Sequence, residues 1–168
     1  DAESPTNFAF RLSAEQLYGG PARNLRCEGS VIFKDFAFTP AGWEGWNFGN
    51  DNLGLKPSFR RLGKGRLDYS GAQIFNAPLL ESSGLPKAAL SVIAEGTAFE
   101  DGGRPATARA SAILHYYPFY IGSTIGSWAR RPETGPLTIP IACVQPSGKR
   151  LAEPKRLTAK LERIESIY

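Results

Sequence analysis

The stretch that decides the fold runs from Leu90 to Tyr116 and has the sequence LSVIAEGTAFEDGGRPATARASAILHY. Apolar or small residues occupy every second position from Leu90 to Ala98, and again from Ala108 to Tyr116. A period of two on both sides of an Asp-Gly-Gly turn predicts a β-hairpin. We expect Gly102 and Gly103 to supply the positive φ that the tight turn needs.

Composition agrees with a fold built around this hairpin. Of the 168 residues, 42% are hydrophobic and 21% are charged, which is typical of a globular domain. The 18 glycines and 13 prolines fall between apolar runs and indicate many turns. Two strands with one apolar face need further strands to cover that face. The sequence therefore predicts an all-β protein, an antiparallel β-sandwich of the immunoglobulin or fibronectin-III type with six or seven strands.

Other strands are predicted from the same alternation. Residues 8–13 form the first strand and residues 26–38 the second, with Cys27, Val31 and Phe33 on one side. Shorter strands are expected around 46–48, 58–62, 66–69, 73–76 and 137–144. Residues 155–168 fit a strand and a helix equally well.

Two segments have the sequence signature of a turn. In Leu17-Tyr18-Gly19-Gly20-Pro21-Ala22 we expect Gly19 or Gly20 to adopt a left-handed conformation. Pro146-Ser147-Gly148-Lys149 has Pro early and Gly late, as a type I or II turn requires.

We expect two domains, a sandwich over residues 1–120 and a partial second β unit over residues 121–168. The second unit is too short to build its own core, so it docks on the first or continues elsewhere. The aromatic run at the boundary predicts an inter-domain contact, because aromatic residues are enriched in such contacts. The residues assigned to this contact are Tyr117, Phe119 and Tyr120.

Charge and hydropathy exclude two classes of partner. The net charge is +4, but the densest basic cluster, at Arg60, Arg61, Lys64 and Arg66, lacks interleaved aromatics and is predicted to be a solvated loop. We therefore expect no nucleic-acid binding. No run approaches the roughly 18 apolar residues of a membrane helix, so we expect no direct membrane contact. Residues 1–5 are polar, so the leader and anchor of an exported protein are expected to lie outside this chain.

No catalytic or metal site is predicted. His115 is the only histidine, and no Gly-x-Ser-x-Gly elbow accompanies it. It is expected to form a hydrogen bond at the sheet surface. Asp51, Asp68 and Asp101 fall in separate predicted loops, without ligand spacing. We expect no cofactor and no enzymatic activity. Cys27 and Cys143 are predicted to be two reduced, packed thiols rather than a disulfide.

An aromatic loop offers a different function. Trp43, Trp46 and Phe48 lie beside Asn47 and other polar residues, and could form the stacking platform of a carbohydrate-binding sandwich. The competing interpretation, which we favour, is that these rings cap one end of the core, because Trp buries a large area.

Four of these segments together resemble the macroglobulin domains of bacterial alpha-2-macroglobulins. They are Leu17-Tyr18-Gly19-Gly20-Pro21-Ala22, Leu67-Asp68-Tyr69-Ser70-Gly71-Ala72, Glu100-Asp101-Gly102-Gly103-Arg104-Pro105 and Phe119-Tyr120-Ile121-Gly122. Pro146-Ser147-Gly148-Lys149 also fits the start of a following macroglobulin domain. The resemblance lies in their order across residues 12–150, and it favours a strand for the final segment.

This resemblance implies a part of a large periplasmic protease inhibitor, membrane-anchored through the parent protein, or of a secreted one. In such proteins a bait region is cleaved and a Cys-Gly-Glu-Gln thioester captures the protease. Neither Cys27-Glu28-Gly29-Ser30 nor Cys143-Val144-Gln145 has that motif. The chain is therefore expected to be scaffold. Its implied partners are neighbouring macroglobulin domains and, through the parent protein, target proteases. A cell-surface adhesion module is a third hypothesis.

Overall fold

The computed structural model describes residues 7–49, 56–79, 88–100, 102, 104–124, 139–152 and 156–158. These residues form antiparallel β-strands and no helix, as the sequence predicts. The strands are β1 (Asn7–Ser13), β2 (Arg26–Asp35), β3 (Trp46–Asn47), β4 (Ser58–Arg66), β5 (Ala72–Pro78), β6 (Ala89–Phe99), β7 (Pro105–His115), β8 (Tyr120–Thr124) and β9 (Ile141–Val144).

The predicted hairpin is confirmed and belongs to a four-stranded sheet with the order β4-β2-β6-β7. Its two strands pair without a register shift, and Glu95 lies opposite Arg109. On the other side of β6, ten residues of β2 pair with it in antiparallel register. Strand β2 ends at Asp35 rather than at Phe38.

A two-stranded sheet, β1-β5, lies over this sheet and completes a sandwich. The two sheets approach closely at the paired glycines Gly29 and Gly96. A Cβ built on Gly29 would lie 2.5 Å from the ring of Phe75, and one on Gly96 would lie 2.7 Å from Leu12. Glycine therefore provides the space into which larger side chains of the upper sheet insert.

The basic cluster is not a loop, so that prediction is wrong. Its four residues lie on β4, the edge strand of the large sheet. Lys64 pairs with Glu28 at 3.3 Å, and the guanidinium of Arg60 lies 5.1 Å from the ring centroid of Phe33. A register shift opposite Gly29 and Ser30 marks a bulge in this edge. Cations and bulges are features that keep an edge strand from pairing with another chain.

The turns differ in how well they were predicted. Gly19 and Gly20 both have positive φ, at 88° and 86°, which confirms the first turn. Gly148 has a φ of 85°, and its amide donates to the carbonyl of Gln145. The expectation for Gly102 is wrong, because this residue has no positive φ. Gly103 lies outside the described residues.

A third sheet, with the order β3-β8-β9, joins three distant parts of the chain. Trp46 pairs with Thr124, and Tyr120 pairs with Val144. Strand β8 was not predicted. The long segment after β2 therefore contributes to the same sheet as the residues that follow the hairpin.

Candidate functional site: the aromatic junction

Among the described residues, the third sheet meets the sandwich through one hydrophobic cluster, which we call the aromatic junction. Ala89 belongs to β6 of the sandwich, whereas Tyr120 and Val144 belong to the third sheet. The buried residues of the junction are Phe38, Trp43, Phe48, Ala89, Tyr120, Ala142 and Val144. Phe36 and Trp46 pack against it from the side. Residues on both sides of position 120 therefore share one core.

Ring contacts connect the junction from end to end. Phe38 lies 4.5 Å from Tyr120 and 6.0 Å from Phe48, measured between ring centroids. Trp43 lies edge-on to Trp46 at 4.9 Å and to Phe48 at 5.8 Å. Edge-to-face pairs of this kind add about 0.5–1.5 kcal/mol each beyond the area they bury. The junction is therefore a packed core, not a surface cluster.

Trp43 also attaches the turn after β9 to the junction. Its indole Nε1 donates a hydrogen bond of 2.7 Å to the carbonyl oxygen of Gly148. The guanidinium of Arg150 lies over the indole ring, 4.8 Å from its centroid. A cation over the face of Trp is attracted by the ring quadrupole. Both the polar edge and one face of Trp43 are thus occupied by the segment from Gly148 to Arg150.

His115 lies at the boundary of the junction, at the end of β7. Its Nδ1 is 3.1 Å from the hydroxyl oxygen of Tyr120, and its ring lies 5.1 Å from that of Phe38. Burial lowers the pKa of His115 from its ordinary value, and burial likewise raises the pKa of the Tyr120 phenol. Both shifts favour the neutral form of each side chain, as expected where apolar rings replace water.

The residues predicted to make an inter-domain contact occupy different environments. Tyr120 is buried in the junction, Phe119 is half-buried, and Tyr117 is 41% exposed. Tyr116 and Tyr117 form an edge-to-face pair at 5.2 Å. The contact with a neighbouring domain remains a prediction. The structure places Tyr120 at the meeting of two sheets of this chain.

The residues proposed as a glycan platform are packed into the junction. Trp43 and Phe48 are each 7% exposed, and Trp46 is half-buried. A stacking platform needs ring faces that are open to solvent, and the rings of Trp43 and Phe48 contact protein instead. Carbohydrate binding stays a prediction, and this burial argues against it.

The groups that could carry chemistry lie apart from one another. Among the described residues, no three His, Cys, Asp or Glu side chains come together as a metal site would require. Cys27 and Cys143 are free thiols on β2 and β9. Burial raises the pKa of Cys27, a shift that a hydrogen bond with the backbone of Gly65 partly opposes. A raised pKa makes the nucleophilic thiolate scarce at neutral pH.

No helix long and apolar enough to cross a membrane occurs in the part of the chain that is described.

Sequence reasoning missed the junction itself. It treated the aromatic loop and the run after β7 as separate features. The signal for β8 was weak in the sequence, because its one aliphatic residue, Ile121, is exposed while Tyr120 and Gly122 are buried. Gly122 contacts the ring of Phe48, which shows why glycine occupies that position. The partner of such a short strand could not be inferred from alternation alone.

An all-β arrangement of antiparallel sheets, two of them packed as a sandwich, is consistent with a macroglobulin domain. Comparison with known families agrees with it. The model of the bacterial alpha-2-macroglobulin MG5 domain matches residues 2–115, and the chain belongs to this family. No curated protein matches the chain significantly.

Solved structures show the same fold. Escherichia coli alpha-2-macroglobulin activated by porcine elastase is 22% identical, with a TM-score of 0.58, over 87% of this chain and 13% of that one. The trypsin-activated E. coli protein is also 22% identical, with a TM-score of 0.55, over 74% of this chain and 9% of that one. Salmonella alpha-2-macroglobulin reacted with methylamine is 24% identical, with a TM-score of 0.54, over 72% and 8%. The chain thus spans 8–13% of the length of these structures.

Proposed function

We propose that this chain is a structural segment of a longer bacterial alpha-2-macroglobulin-like polypeptide that inhibits proteases by trapping them after bait-region cleavage. The observation that carries the proposal is the family match over residues 2–115. The small share of the matched structures that the chain covers supports a larger polypeptide with neighbouring macroglobulin domains. The segment itself is not an enzyme in this proposal, and it needs no cofactor.

The geometry supports a scaffold role. His115 and Cys27 are the side chains that could take part in catalysis. Both are packed against other residues, and they contact Tyr120 and Gly65, respectively. The chain also lacks the Cys-Gly-Glu-Gln sequence that covalent capture requires. Protease contact and any thioester therefore belong to other parts of the polypeptide. Membership in the family implies that the longer polypeptide is either periplasmic, with a membrane anchor outside this chain, or secreted.

We also propose the division into a sandwich over residues 1–120 and a second β unit over 121–168. The pairing of β8 with β9 supports a second unit that begins near Tyr120. The second unit shares its hydrophobic core with Trp43 and Phe48 of the first. This shared core explains how so short a segment is stabilised.

The test compares the complete polypeptide of the gene with the 168-residue chain. Each is mixed with trypsin or elastase, and digestion of a large protein substrate is followed over time. We expect the complete polypeptide to suppress digestion and the 168-residue chain to have no effect. Inhibition by the 168-residue chain alone would show that a protease-inhibiting site lies within this chain, and would contradict the scaffold role. Failure of the complete polypeptide to inhibit either protease would refute the trapping proposal.

A further inference from the structure

A small hollow with cationic walls lies on the large sheet, on the face that points away from the upper sheet. It has a volume of about 270 Å³ and is lined by six residues of β2 and β4. The two strands pair here in antiparallel register, with Arg26 opposite Arg66 and Glu28 opposite Lys64. These four residues are exposed, whereas Cys27 between them is buried in the sandwich core. The four exposed side chains therefore form the walls of the hollow, and the paired backbones form its floor.

The charges around the hollow do not balance. Glu28 lies 3.3 Å from Lys64, so these two side chains neutralise each other. Arg26 and Arg66 have no carboxylate partner among the described residues. They lie directly opposite each other on neighbouring strands, an arrangement that is destabilising for like charges. One end of the hollow therefore has two positive charges that nothing in the described chain compensates.

Each of the two guanidinium groups is held in place by a neutral contact. Nη1 of Arg66 donates a hydrogen bond of 2.8 Å to the carbonyl oxygen of Asn24. The guanidinium of Arg26 lies 5.5 Å from the ring centroid of Phe99. Because a guanidinium has five N–H donors, these contacts leave most of the donors available. Two positioned guanidinium groups with donors to spare are suited to binding an anion with several oxygens.

Protection of the sheet edge explains only part of this arrangement. Cations on β4 keep that edge strand from pairing with another chain. Arg26 belongs to β2, which pairs with β4 on one side and with β6 on the other, so it protects no edge. Its position opposite Arg66 therefore requires a different explanation, and a bound anion between the two side chains provides one.

We propose that Arg26 and Arg66 bind one phosphate group in this hollow, either as free phosphate or as a phosphate monoester. A phosphate monoester has a charge of about −1.5 to −2 at neutral pH, which matches the two uncompensated cations. Its oxygens accept hydrogen bonds from both guanidinium groups at once, whereas a single carboxylate is satisfied by one. The volume of about 270 Å³ is below the roughly 300–1,000 Å³ of pockets for drug-sized ligands, so the hollow accepts a small group. This site goes beyond the proposed scaffold role and does not depend on protease trapping.

Arginine modification by phenylglyoxal tests the site, because a bound anion shields a guanidinium from the reagent. The modification rates of Arg26 and Arg66 in the 168-residue chain are measured by peptide mass spectrometry, with phosphate or with chloride at the same ionic strength. Arg61, which is exposed on the same strand as Arg66, is the internal control. Phosphate at about ten times its dissociation constant should slow modification of Arg26 and Arg66 about tenfold, because only the unliganded form reacts. The rate at Arg61 should not change.

Three variants separate a shared site from a general effect of charge. In Arg26→Gln the protection of Arg66 should fall to about twofold, because the loss of one guanidinium weakens phosphate binding about tenfold. Arg26→Lys keeps the charge but loses the planar array of donors, so Arg66 should be protected less than in the parent sequence. Lys34→Gln is the matched control, since it removes an exposed cation from the same strand as Arg26. It should leave the protection of Arg66 unchanged.

Several outcomes would overturn the proposal. Equal slowing at Arg61, or equal slowing by chloride, would assign the effect to ionic screening. Full protection of Arg66 in Arg26→Gln would show that the two residues share no anion, and an equal loss of protection in Lys34→Gln would show that only net charge matters. Once inorganic phosphate protects the pair, phosphatidylcholine vesicles with and without phosphatidic acid distinguish the two sources of the group. Binding to the phosphatidic acid vesicles that Arg26→Gln abolishes identifies a lipid phosphate, and no such binding identifies a soluble one.

Discussion

Trp43 and Gly148 are 105 residues apart in the sequence, yet the indole nitrogen of one donates a 2.7 Å hydrogen bond to the carbonyl oxygen of the other. This bond joins the loop after β2 to the turn after β9. It is partly buried and lies within the aromatic junction. The contribution of the junction can therefore be measured through Trp43.

Trp43→Phe keeps an aromatic ring but removes the donor. We expect it to lower the free energy of unfolding by about 1–3 kcal/mol, because the Gly148 carbonyl loses its partner in a partly buried site. Trp46→Phe is the control, since Trp46 is half-buried at the edge of the same cluster. Urea unfolding followed by circular dichroism measures both variants. Equal losses in the two would show that the hydrogen bond contributes nothing specific.

His115 should make stability depend on pH. Because burial lowers its pKa, the unfolded chain binds a proton more readily than the folded chain does. The free energy of unfolding is therefore expected to be at its plateau above about pH 6.5, the pKa of an unperturbed histidine, and to fall as the pH drops below that value. The decrease ends once the pH passes below the lowered pKa of the folded state.

His115→Gln tests this assignment cleanly, since the chain has no other histidine. Urea unfolding of both proteins between about pH 5 and 8 should show the slope only in the parent sequence. A slope of the same size in the variant would assign the pH dependence to other groups.

The close approach of the two sheets predicts a strong effect at Gly96. Gly96→Ala places a Cβ 2.7 Å from Leu12 and should cost about 1–3 kcal/mol through overpacking. Gly102→Ala has open space around it and no positive φ, so its effect should stay within about 0.5 kcal/mol. In a Leu12→Ala background the cost of Gly96→Ala should shrink, and additivity of the two changes would rule out the proposed clash.

Asp68 holds the turn between β4 and β5. Its Oδ1 accepts hydrogen bonds from the amides of Ser70 and Ala72 and from the Ser70 hydroxyl. These bonds, the Ser70 side chain first, lower the pKa of the carboxyl group. We expect Asp68→Ala to lower the melting temperature more than Asp68→Asn, because asparagine keeps an acceptor oxygen in the same place. The reverse order in a thermal melt would contradict the role of this turn.

Local sequence patterns predicted the strands of the sandwich well. They could not predict which strands pair when the strands are distant in the sequence. The alternation in β6 specified which residues face the core, since Val92 and Ala98 are buried as expected. In β7 the same alternation did not, because both faces are exposed from Pro105 to Ile113. No comparable signal relates Trp46 to Thr124, because pairing between distant short strands depends on the complete fold. The basic residues on β4 were misassigned for a similar reason, since glycines in a bulged edge strand resemble those of a loop.

Ala89 and Leu90 open β6 with two consecutive buried residues, one in the aromatic junction and the other in the core beneath the upper sheet. A slip of β6 by a single residue would exchange a methyl group for an isobutyl group among closely packed rings, and would remove the leucine from the opposite core. Misaligned hairpins are thereby penalised on both sides at once. The hairpin that organises the chain has its alignment fixed at its open end, far from the turn that closes it.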